Sequence, residues 1–372
     1  MDAPLVHGRK YMKKIMTILF TFPLLMNFVG AEEMKKIKLE DDSVEIQEKE
    51  HDVDVFWEII PWKDNTSITI DGWGKYSVLS FDKKGKLQQK TLCDYPKEQY
   101  DRMFFADDKT GFIYAQANGM MYFLYNADTK IKNSLLPVLS WKGYTDLYPL
   151  NEKEILVKFT TGEIIGYFIY EHSSKEYERQ EITDFRDFSL IEQFYDDKYT
   201  FLAEENDEYF IYDWKNQKKE TNKLTQFFNE NKIKSFKFNM KNNRAFVSNS
   251  ENKYMIFWNE DFSEFKIYNL KDYLSSDSYS INIYSYSGDG KYAFASIYAY
   301  DEQYQCGLYH LTFIDMDKFK EDKNPIKPTD LITDRTDSFF TTGFVFDKKN
   351  GWNFIFTDET AKAFAISMND LF

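Results

Sequence analysis

Acidic side chains cluster in short polar turns of this chain, and they are its main candidates for binding or catalysis. Carboxylates at high density attract cationic groups, and two of them close together could act as a general acid and base. Eleven acids and one base, Lys253, fall in seven turns, at residues 71–74, 118–119, 161–163, 204–208, 250–253, 298–305 and 358–360. The candidate binding residues in these turns are Tyr300, Asp301, Glu302, Glu205, Asp207, Asp358 and Glu359.

Signatures of other chemistries are missing from the sequence. It contains no nucleophile elbow, no phosphate-binding loop and no His-Glu-x-x-His motif. Its four histidines lack cysteines or carboxylates at the spacing of a zinc site. We therefore predict no metal, no cofactor and no catalytic residue, while a catalytic set that meets only in the folded chain stays an open alternative.

The net charge argues against nucleic acid as a partner. The formal charge is −14, and removing residues 1–31 takes away four basic residues and one acidic residue, which leaves −17. Such a charge repels phosphate backbones at long range, and no basic run with interleaved aromatics opposes it. The alternative reading of the acidic turns is an ordinary solubilising surface.

The amino-terminal segment has the pattern of a secretory signal peptide. Four basic residues at positions 9–14 precede an apolar run at residues 15–29, and Ala31 supplies a small residue for cleavage. The apolar run is short for a membrane span, which needs about 20 residues. We expect a signal peptide at residues 1–31, export to the periplasm or the cell exterior, and no membrane span in the mature chain.

Two series of polar turns recur together roughly every 45 residues. Turns at residues 125–126, 170–171 and 212–213 follow strands that end in an aromatic residue, and a second series, represented by residues 196–198, precedes them in each unit. A period in the mid-forties fits four short strands and four turns, which is the unit of a β-propeller blade.

The repeat predicts an all-β fold, a single seven-bladed β-propeller of four-stranded antiparallel blades over residues 53–372. The last blade lacks a fourth strand, because its third strand, residues 363–367, lies close to the end of the chain. We expect the leader at residues 32–52 to close the ring with a strand from residues 34–50, since an open sheet edge promotes aggregation. Period-two alternation argues against helices within the blades, and residues 219–234 are expected to form a connecting loop.

Aromatic residues make up 19% of the chain, and most are expected to pack between blades. Tyr298, Tyr300 and Tyr304 are the exceptions, because they fall in the longest predicted hairpin tip, residues 298–305. A packing role is less obvious there, so these tyrosines are candidates for contact with a ligand.

Residues 286–294 read Tyr-Ser-Gly-Asp-Gly-Lys-Tyr-Ala-Phe and carry a family resemblance. They are similar to the turn of WD40-like bacterial propellers, in which Ser-Pro-Asp-Gly-Lys begins the second strand; here Gly288 replaces the proline. The terminal Trp-Asp pair of true WD40 repeats is missing. The resemblance implies a propeller over about 320 residues, and it implies no particular activity.

These observations predict an exported, non-catalytic binding or scaffold module, monomeric, that engages a protein or glycan of the cell envelope through its acidic turns. The alternative is a propeller-type hydrolase or lyase that acts on polysaccharide or peptide. That alternative requires paired carboxylates at the mouth of the central channel, with a raised pKa on one of them.

Overall fold

The computed structural model describes the greater part of the chain after residue 38. The described residues are 39, 43, 49–51, 56–62, 65–71, 75–94, 103–106, 113–117, 120–125, 134–136, 145–151, 154–161, 164–171, 184–194, 197–260, 262–301, 306–321, 324–333, 342–357 and 363–372. The predicted signal peptide lies outside them.

The described residues confirm the all-β class, because their strands form seven antiparallel sheets of four strands each. Strand β1 (Lys49–His51) belongs to the last sheet. The first two sheets contain β2 (Phe56–Pro61), β3 (Ser67–Asp71), β4 (Lys75–Phe81) and β5 (Leu87–Asp94), and then β6 (Met103–Ala106), β7 (Ile113–Ala117), β8 (Met120–Tyr125) and β9 (Ser134–Leu136). The next two contain β10 (Thr145–Pro149), β11 (Glu154–Thr161), β12 (Ile164–Glu171) and β13 (Asp184–Arg186), and then β14 (Ser189–Gln193), β15 (Thr200–Glu205), β16 (Glu208–Asp213) and β17 (Lys218–Glu220).

The remaining sheets follow the same order along the chain. The fifth and sixth contain β18 (Ser235–Asn239), β19 (Arg244–Ser248), β20 (Lys253–Trp258) and β21 (Phe265–Asn269), and then β22 (Ser280–Tyr286), β23 (Tyr292–Asp301), β24 (Cys306–Asp315) and β25 (Ile326–Thr333). The seventh contains β26 (Thr342–Asp347), β27 (Gly351–Thr357) and β28 (Ala363–Ser367), with β1 as its fourth strand. The described residues also form helices α1 (Lys223–Asn231) and α2 (Met368–Leu371), with short 3-10 turns at Met240–Asn242, Leu270–Tyr273 and Met316–Glu321.

The seventh sheet combines strands from both ends of the described chain. Lys49 in β1 pairs with Ala365 in β28, and the pairing is antiparallel. Strand β28 spans the residues predicted for the last blade's third strand, whereas β1 begins only at the end of the leader segment expected to pair with it. Strand β26 also contacts β2 of the first sheet and β22 of the sixth.

Sheets pack face to face through apolar and aromatic side chains. Phe294 of the sixth sheet lies 4.4 Å from Phe354 of the seventh, measured between ring centroids. Middle strands such as β19 are buried along nearly their whole length, because neighbouring sheets cover both of their faces. This packing explains why so many rings recur along the chain, since each one buries a large area on a sheet surface.

The turn that carries the family resemblance is held by its own side chains. The Ser287 hydroxyl donates to Asp289 Oδ1 at 2.7 Å, and the backbone N–H of Tyr292 donates to Ser287 Oγ at 2.9 Å. Gly290 takes the left-handed conformation, with φ of +65°, which glycine adopts without a steric penalty. The buried Arg244 guanidinium of the fifth sheet donates to the Gly290 carbonyl and so ties this turn to the neighbouring sheet.

Helix α1 is a difference from the sequence prediction, which placed a loop at residues 219–234. Asn222 caps the helix, because its side chain accepts from the Thr225 N–H while the Thr225 hydroxyl accepts from the Asn222 N–H, both at 3.0 Å. Leu224 and Phe228 lie one turn apart and bury the same face. The helix follows the fourth strand of its sheet, so it interrupts no strand.

Candidate functional site

The turn between β15 and β16 presents the densest group of described carboxylates. Its two central residues, Asn206 and Asp207, have φ of 53° and 63°, the left-handed pair of a tight type I′ hairpin turn. The turn leaves Asp207 and Glu208 exposed and places Glu205 directly opposite Glu208. We refer to residues 204–208 as the acidic turn. Like charges opposite each other in a hairpin are unfavourable, so packing does not explain this arrangement.

One carboxylate of the acidic turn has a partner within the protein. Lys219 Nζ lies 2.7 Å from Glu205 Oε2, and the same ammonium lies over the rings of Phe188 and Phe210. Both charged side chains remain partly in water, where such a pair contributes about 1 kcal/mol or less. Glu205 is therefore partly neutralised, whereas Asp207 and Glu208 project beyond the pair.

Glu204 connects the acidic turn to a group of charges between the third and fourth sheets. Burial raises the pKa of Glu204, the charge of Asp207 raises it further, and Lys158 opposes the rise. Lys158 Nζ in turn pairs with Asp146 Oδ2 at 2.8 Å and donates to the Leu190 carbonyl at 3.0 Å. Strands from both sheets therefore place their charges in one connected group.

Donors of the third sheet converge on one backbone carbonyl, that of Leu190, at a β-bulge in β14. The register shifts between Leu190 and Glu192, and the Leu190 carbonyl accepts from the Tyr148 hydroxyl at 2.9 Å as well as from Lys158. Gln193 also crosses between the sheets, because its amide donates to the Pro149 carbonyl at 3.0 Å. We call Asp146, Tyr148, Lys158, Glu192 and Gln193 the polar junction. Bulges re-aim side chains, and this one brings Glu192 toward the junction.

Among the described carboxyl groups, that of Glu192 has a pKa far above its usual value. Burial raises the pKa of Glu192 to about 7, with opposing contributions from Lys198 and Lys237 and a smaller raising contribution from Asp146. A carboxyl group with this pKa exchanges protons near neutral pH, which is uncommon outside functional sites. The polar junction therefore contains a proton-exchanging group next to a lysine-paired carboxylate.

The predicted contact residues divide into three groups. Glu205 and Asp207 lie together in the acidic turn. Tyr300 and Asp301 are consecutive residues at the end of β23. Tyr300 is 57% exposed and pairs with Gly307, and Asp301 pairs with Cys306. The other predicted contacts, Glu302, Asp358 and Glu359, lie outside the described residues, as does Tyr304.

The hairpin that was expected to present three tyrosines at its tip has longer strands than predicted. Strand β23 continues to Asp301, so Tyr298 and Tyr300 belong to the strand and not to the tip. The Tyr298 ring lies 5.1 Å from the Tyr309 ring across the strands, so Tyr298 has a packing role. The aromatic alternation at residues 297–300 is the sequence signal that could have extended the strand.

Sequence inspection did not find the polar junction. Its residues are each unremarkable in sequence, and they come from three strands, β10, β11 and β14, of two different sheets. In the described ranges, no three or more His, Cys, Asp or Glu side chains converge as a metal-binding group. The described helices are all too short or too polar to cross a membrane.

Comparison with known proteins gives likeness in fold only. No protein-family model matches the chain, and no curated protein matches it in sequence. A candidate exported protein of Bacteroides fragilis is 14% identical, with a TM-score of 0.40, and the match covers 68% of this chain and 82% of that one. The extracellular domain of a candidate one-component system of B. thetaiotaomicron is 11% identical with a TM-score of 0.44, and the match covers 89% of this chain but only 43% of that longer one.

The WD40 domain of SCAP from fission yeast is a third similar structure. It is 12% identical with a TM-score of 0.38, and the match covers 87% of this chain and 89% of that domain. Because no family model matches the chain, the resemblance named from the turn at residues 286–294 is limited to architecture.

Proposed function

We propose that this protein is an exported, non-catalytic binding module that engages cationic groups of a protein or glycan through the acidic turn. The observation that carries the proposal is the exposure of Asp207 and Glu208 beside the half-buried Glu204. Exposed carboxylates impose little folding cost and attract cations over several ångströms, which increases the rate of encounter with a basic partner. The amino-terminal basic and apolar pattern supports export to the periplasm or the cell exterior.

The architecture we propose is a seven-bladed propeller closed by the amino-terminal strand. Three features support it: the seven four-stranded sheets, the pairing of β1 with β28, and the contacts of β26 with both β2 and β22. In such a ring the connections between second and third strands lie on one face, so the acidic turn and the β23–β24 hairpin that carries Tyr300 and Asp301 would share that face. Glu302, Asp358 and Glu359 remain proposed contacts on the same face.

The experiment that tests this function measures binding of defined polycations to residues 32–372. We would immobilise the protein and titrate an octalysine peptide and a chitosan oligosaccharide at two salt concentrations. One is about 20 mM, where charges are weakly screened, and the other is about 150 mM, the physiological ionic strength. The double variant Asp207→Asn/Glu208→Gln removes two charges with little change of shape. We expect it to weaken binding roughly tenfold at the lower salt concentration, because each lost pair at an exposed site contributes under about 1 kcal/mol.

The matched control is Glu260→Gln/Glu264→Gln, which removes two exposed charges from the β20–β21 turn. That turn joins a third strand to a fourth and not a second to a third, so it belongs to the other set of hairpin turns. Equal weakening by both double variants would attribute binding to net charge alone and would refute a site at the acidic turn. Absence of binding to either polycation would refute the cationic partner.

The polar junction favours one alternative, a hydrolase or lyase that acts on polysaccharide or peptide. Glu192 would be its general acid, because its pKa is raised to about 7, and the lysine-paired Asp146 would be the second carboxylate. The test is reducing-end or amine release from polysaccharide and peptide libraries by the wild type and by Glu192→Gln. Turnover that is lost in Glu192→Gln and kept in Glu208→Gln would replace the binding proposal.

A further inference from the structure

Lys253, a half-buried lysine, lies between the fifth and sixth sheets and has no carboxylate partner among the described residues. Lys253, the first residue of β20, donates from Nζ to Ser280 Oγ at 2.7 Å and to Asn282 Oδ1 at 2.6 Å. Both acceptors belong to β22. Within the described chain no carboxylate lies within 4 Å of Lys253, in contrast to Lys158, Lys218 and Lys219, which each pair with one.

The three side chains form a group of hydrogen-bond donors. An ammonium has three N–H donors and no acceptor, so Ser280 and Asn282 must both turn their oxygen atoms toward it. That orientation leaves the hydroxyl proton of Ser280 and the amide N–H groups of Asn282 available to a further acceptor. Among the described residues no acceptor takes either of them, and only two of the three Lys253 donors are used.

The charge of this group is also uncompensated. Burial lowers the pKa of the Lys253 amine, and no neighbouring charge contributes to or opposes that shift. A partly desolvated charge without a partner is unfavourable. An anion with hydrogen-bond acceptors would neutralise this charge and would also accept hydrogen bonds from the unused donors. The free donors and the positive charge therefore both favour an anionic ligand with hydrogen-bond acceptors.

We propose that Lys253, Ser280 and Asn282 form a binding site for a carboxylate group. One ammonium balances one negative charge, and a dianion such as phosphate would leave an excess negative charge on a chain that is already strongly acidic. A planar carboxylate has two oxygens with about four acceptor sites between them, enough for the ammonium, the Ser280 hydroxyl and the Asn282 amide. The carboxylate could belong to an acidic sugar or to a peptide C-terminus, since the three donors recognise the group and not its carrier.

This site is independent of the acidic turn, although the two occupy equivalent places. Lys253 follows the turn between the second and third strands of the fifth sheet, and the acidic turn connects the second and third strands of the fourth. A ligand with both a cationic group and a carboxylate could use the two sites together. Each site can nevertheless be removed alone, so failure of one leaves the other intact.

The test is ligand-observed NMR with defined small molecules at constant ionic strength. The acidic ligands are glucuronate and N-acetyl-dialanine with a free C-terminus; their neutral counterparts are glucose and the same peptide as its amide. We expect saturable binding of at least one acidic ligand and none of its neutral counterpart. Saturation by glucuronate alone identifies an acidic-sugar site, saturation by the peptide acid alone identifies a C-terminal site, and both results support the carboxylate proposal.

Substitutions locate that binding on the protein. Lys253→Met removes the charge and keeps the length of the side chain, and we expect it to weaken binding at least tenfold. Lys266→Met removes an exposed lysine of the same sheet and is the matched control, with unchanged binding expected. Ser280→Ala and Asn282→Ala keep the charge and provide a second readout if Lys253→Met does not fold; we expect each to weaken binding about threefold. Equal binding of acid and neutral forms, tighter binding of inorganic phosphate, or wild-type affinity in these variants would overturn the proposal.

Discussion

Two junctions between neighbouring sheets use opposite chemistry. The first and seventh sheets meet through apolar side chains, including Ile59, Leu79, Val345 and Ile355, and through a close approach at Gly343. We call these five residues the apolar junction. The third and fourth sheets meet through apolar side chains as well, but the polar junction adds an ion pair, a carboxyl group with a raised pKa and hydrogen bonds to the Leu190 carbonyl.

The difference shows that the polar junction is not required for packing two sheets together. Replacing buried charged pairs by apolar side chains is often neutral or stabilising, because the charges must be removed from water. Among the described residues the first and seventh sheets are joined without an ion pair, and a polar contact between them is neutral, the Ser67 hydroxyl donating to the Phe344 carbonyl at 2.5 Å. The charges retained at the polar junction, next to the exposed acidic turn, therefore need an explanation other than packing.

The largest effect is expected from a methyl group added to the apolar junction. A Cβ at Gly343 would lie 2.5 Å from Ile59 Cβ and 2.6 Å from the Ile59 carbonyl oxygen, and the backbone atom cannot rotate away. We expect Gly343→Ala to lower the free energy of unfolding by about 3 kcal/mol, the upper part of the range for overpacked cores. Urea unfolding at pH 5 and pH 8 measures the loss, which should be equal at both values because no ionisable group is involved.

A control for this prediction is Gly288→Ala. The nearest atom to its added Cβ is the Trp352 ring edge at 3.0 Å, a side-chain atom with more freedom to shift. We expect a smaller loss than at Gly343. A loss at Gly343 that is no larger than the loss at Gly288 would contradict the close approach between the first and seventh sheets.

The second-largest expected effect is a pH-dependent loss of folding stability caused by Glu192 at the polar junction. The pKa of Glu192 is raised from 4.5 to about 7 by burial. Below pH 4.5 the carboxyl group is protonated in both folded and unfolded chains. Between pH 4.5 and about 7 the unfolded chain releases the proton while the folded chain keeps it, so stability falls as the pH rises through this window. Above pH 7 the full destabilisation is present.

Glu192→Gln should remove this pH dependence. We expect the variant and the wild type to be equally stable near pH 4.5, and the variant to be more stable at pH 8 by on the order of 2 kcal/mol, since one unit of pKa corresponds to about 1.4 kcal/mol and water screens part of the shift. Urea unfolding across pH 4.5–8 measures the difference. Glu208→Gln, at an exposed position, is the control. A stability difference between Glu192→Gln and the wild type that stays constant with pH would show that the half-buried Glu192 carboxyl group does not hold its proton up to about pH 7.

Many strands of this fold could be predicted from sequence, whereas the helix at Lys223–Asn231, the longest in the described residues, was expected to be a loop. Alternation at period two and recurring polar turns depend on local sequence, and they placed β28 at Ala363–Ser367. The helix signal was also local, an Asn222 and Thr225 capping box before Leu224 and Phe228. A prediction from strand alternation does not use this signal, because period-two alternation reports strands alone.

The candidate sites divide in the same way. The acidic turn could be found because Glu204 to Glu208 are consecutive in sequence. The polar junction could not, because Asp146 and Glu192 approach each other only when two sheets pack and a bulge redirects one strand. The Lys253 group has the same origin, since its two partners come from the following sheet.

The smallest predicted effect concerns the hydrogen bonds of the polar junction. The Tyr148 hydroxyl donates to the Leu190 carbonyl at 2.9 Å, and burial raises its pKa well above the usual value, so it remains a donor at all working pH values. We expect Tyr148→Phe to cost only about 1 kcal/mol, the usual contribution of one hydrogen bond, because Lys158 still donates to the same carbonyl.

Because Tyr148 and Lys158 donate to the same carbonyl, we expect the stability loss from Lys158→Met to be larger when Tyr148 is already replaced by phenylalanine. With both donors removed, the Leu190 carbonyl at the bulge loses its two cross-sheet partners and keeps the long 3.4 Å contact from the Ser189 hydroxyl, so a cost toward the lower end of the about 1–3 kcal/mol for an unsatisfied buried acceptor is expected. The double variant should therefore lose more stability than the sum of the single variants, with a coupling energy of about 1 kcal/mol. Because the cycle subtracts the loss of the Asp146 ion pair, the coupling isolates the shared carbonyl. Additive losses would mean that the two side chains act separately, and the polar junction would then be two adjacent contacts and not one connected group.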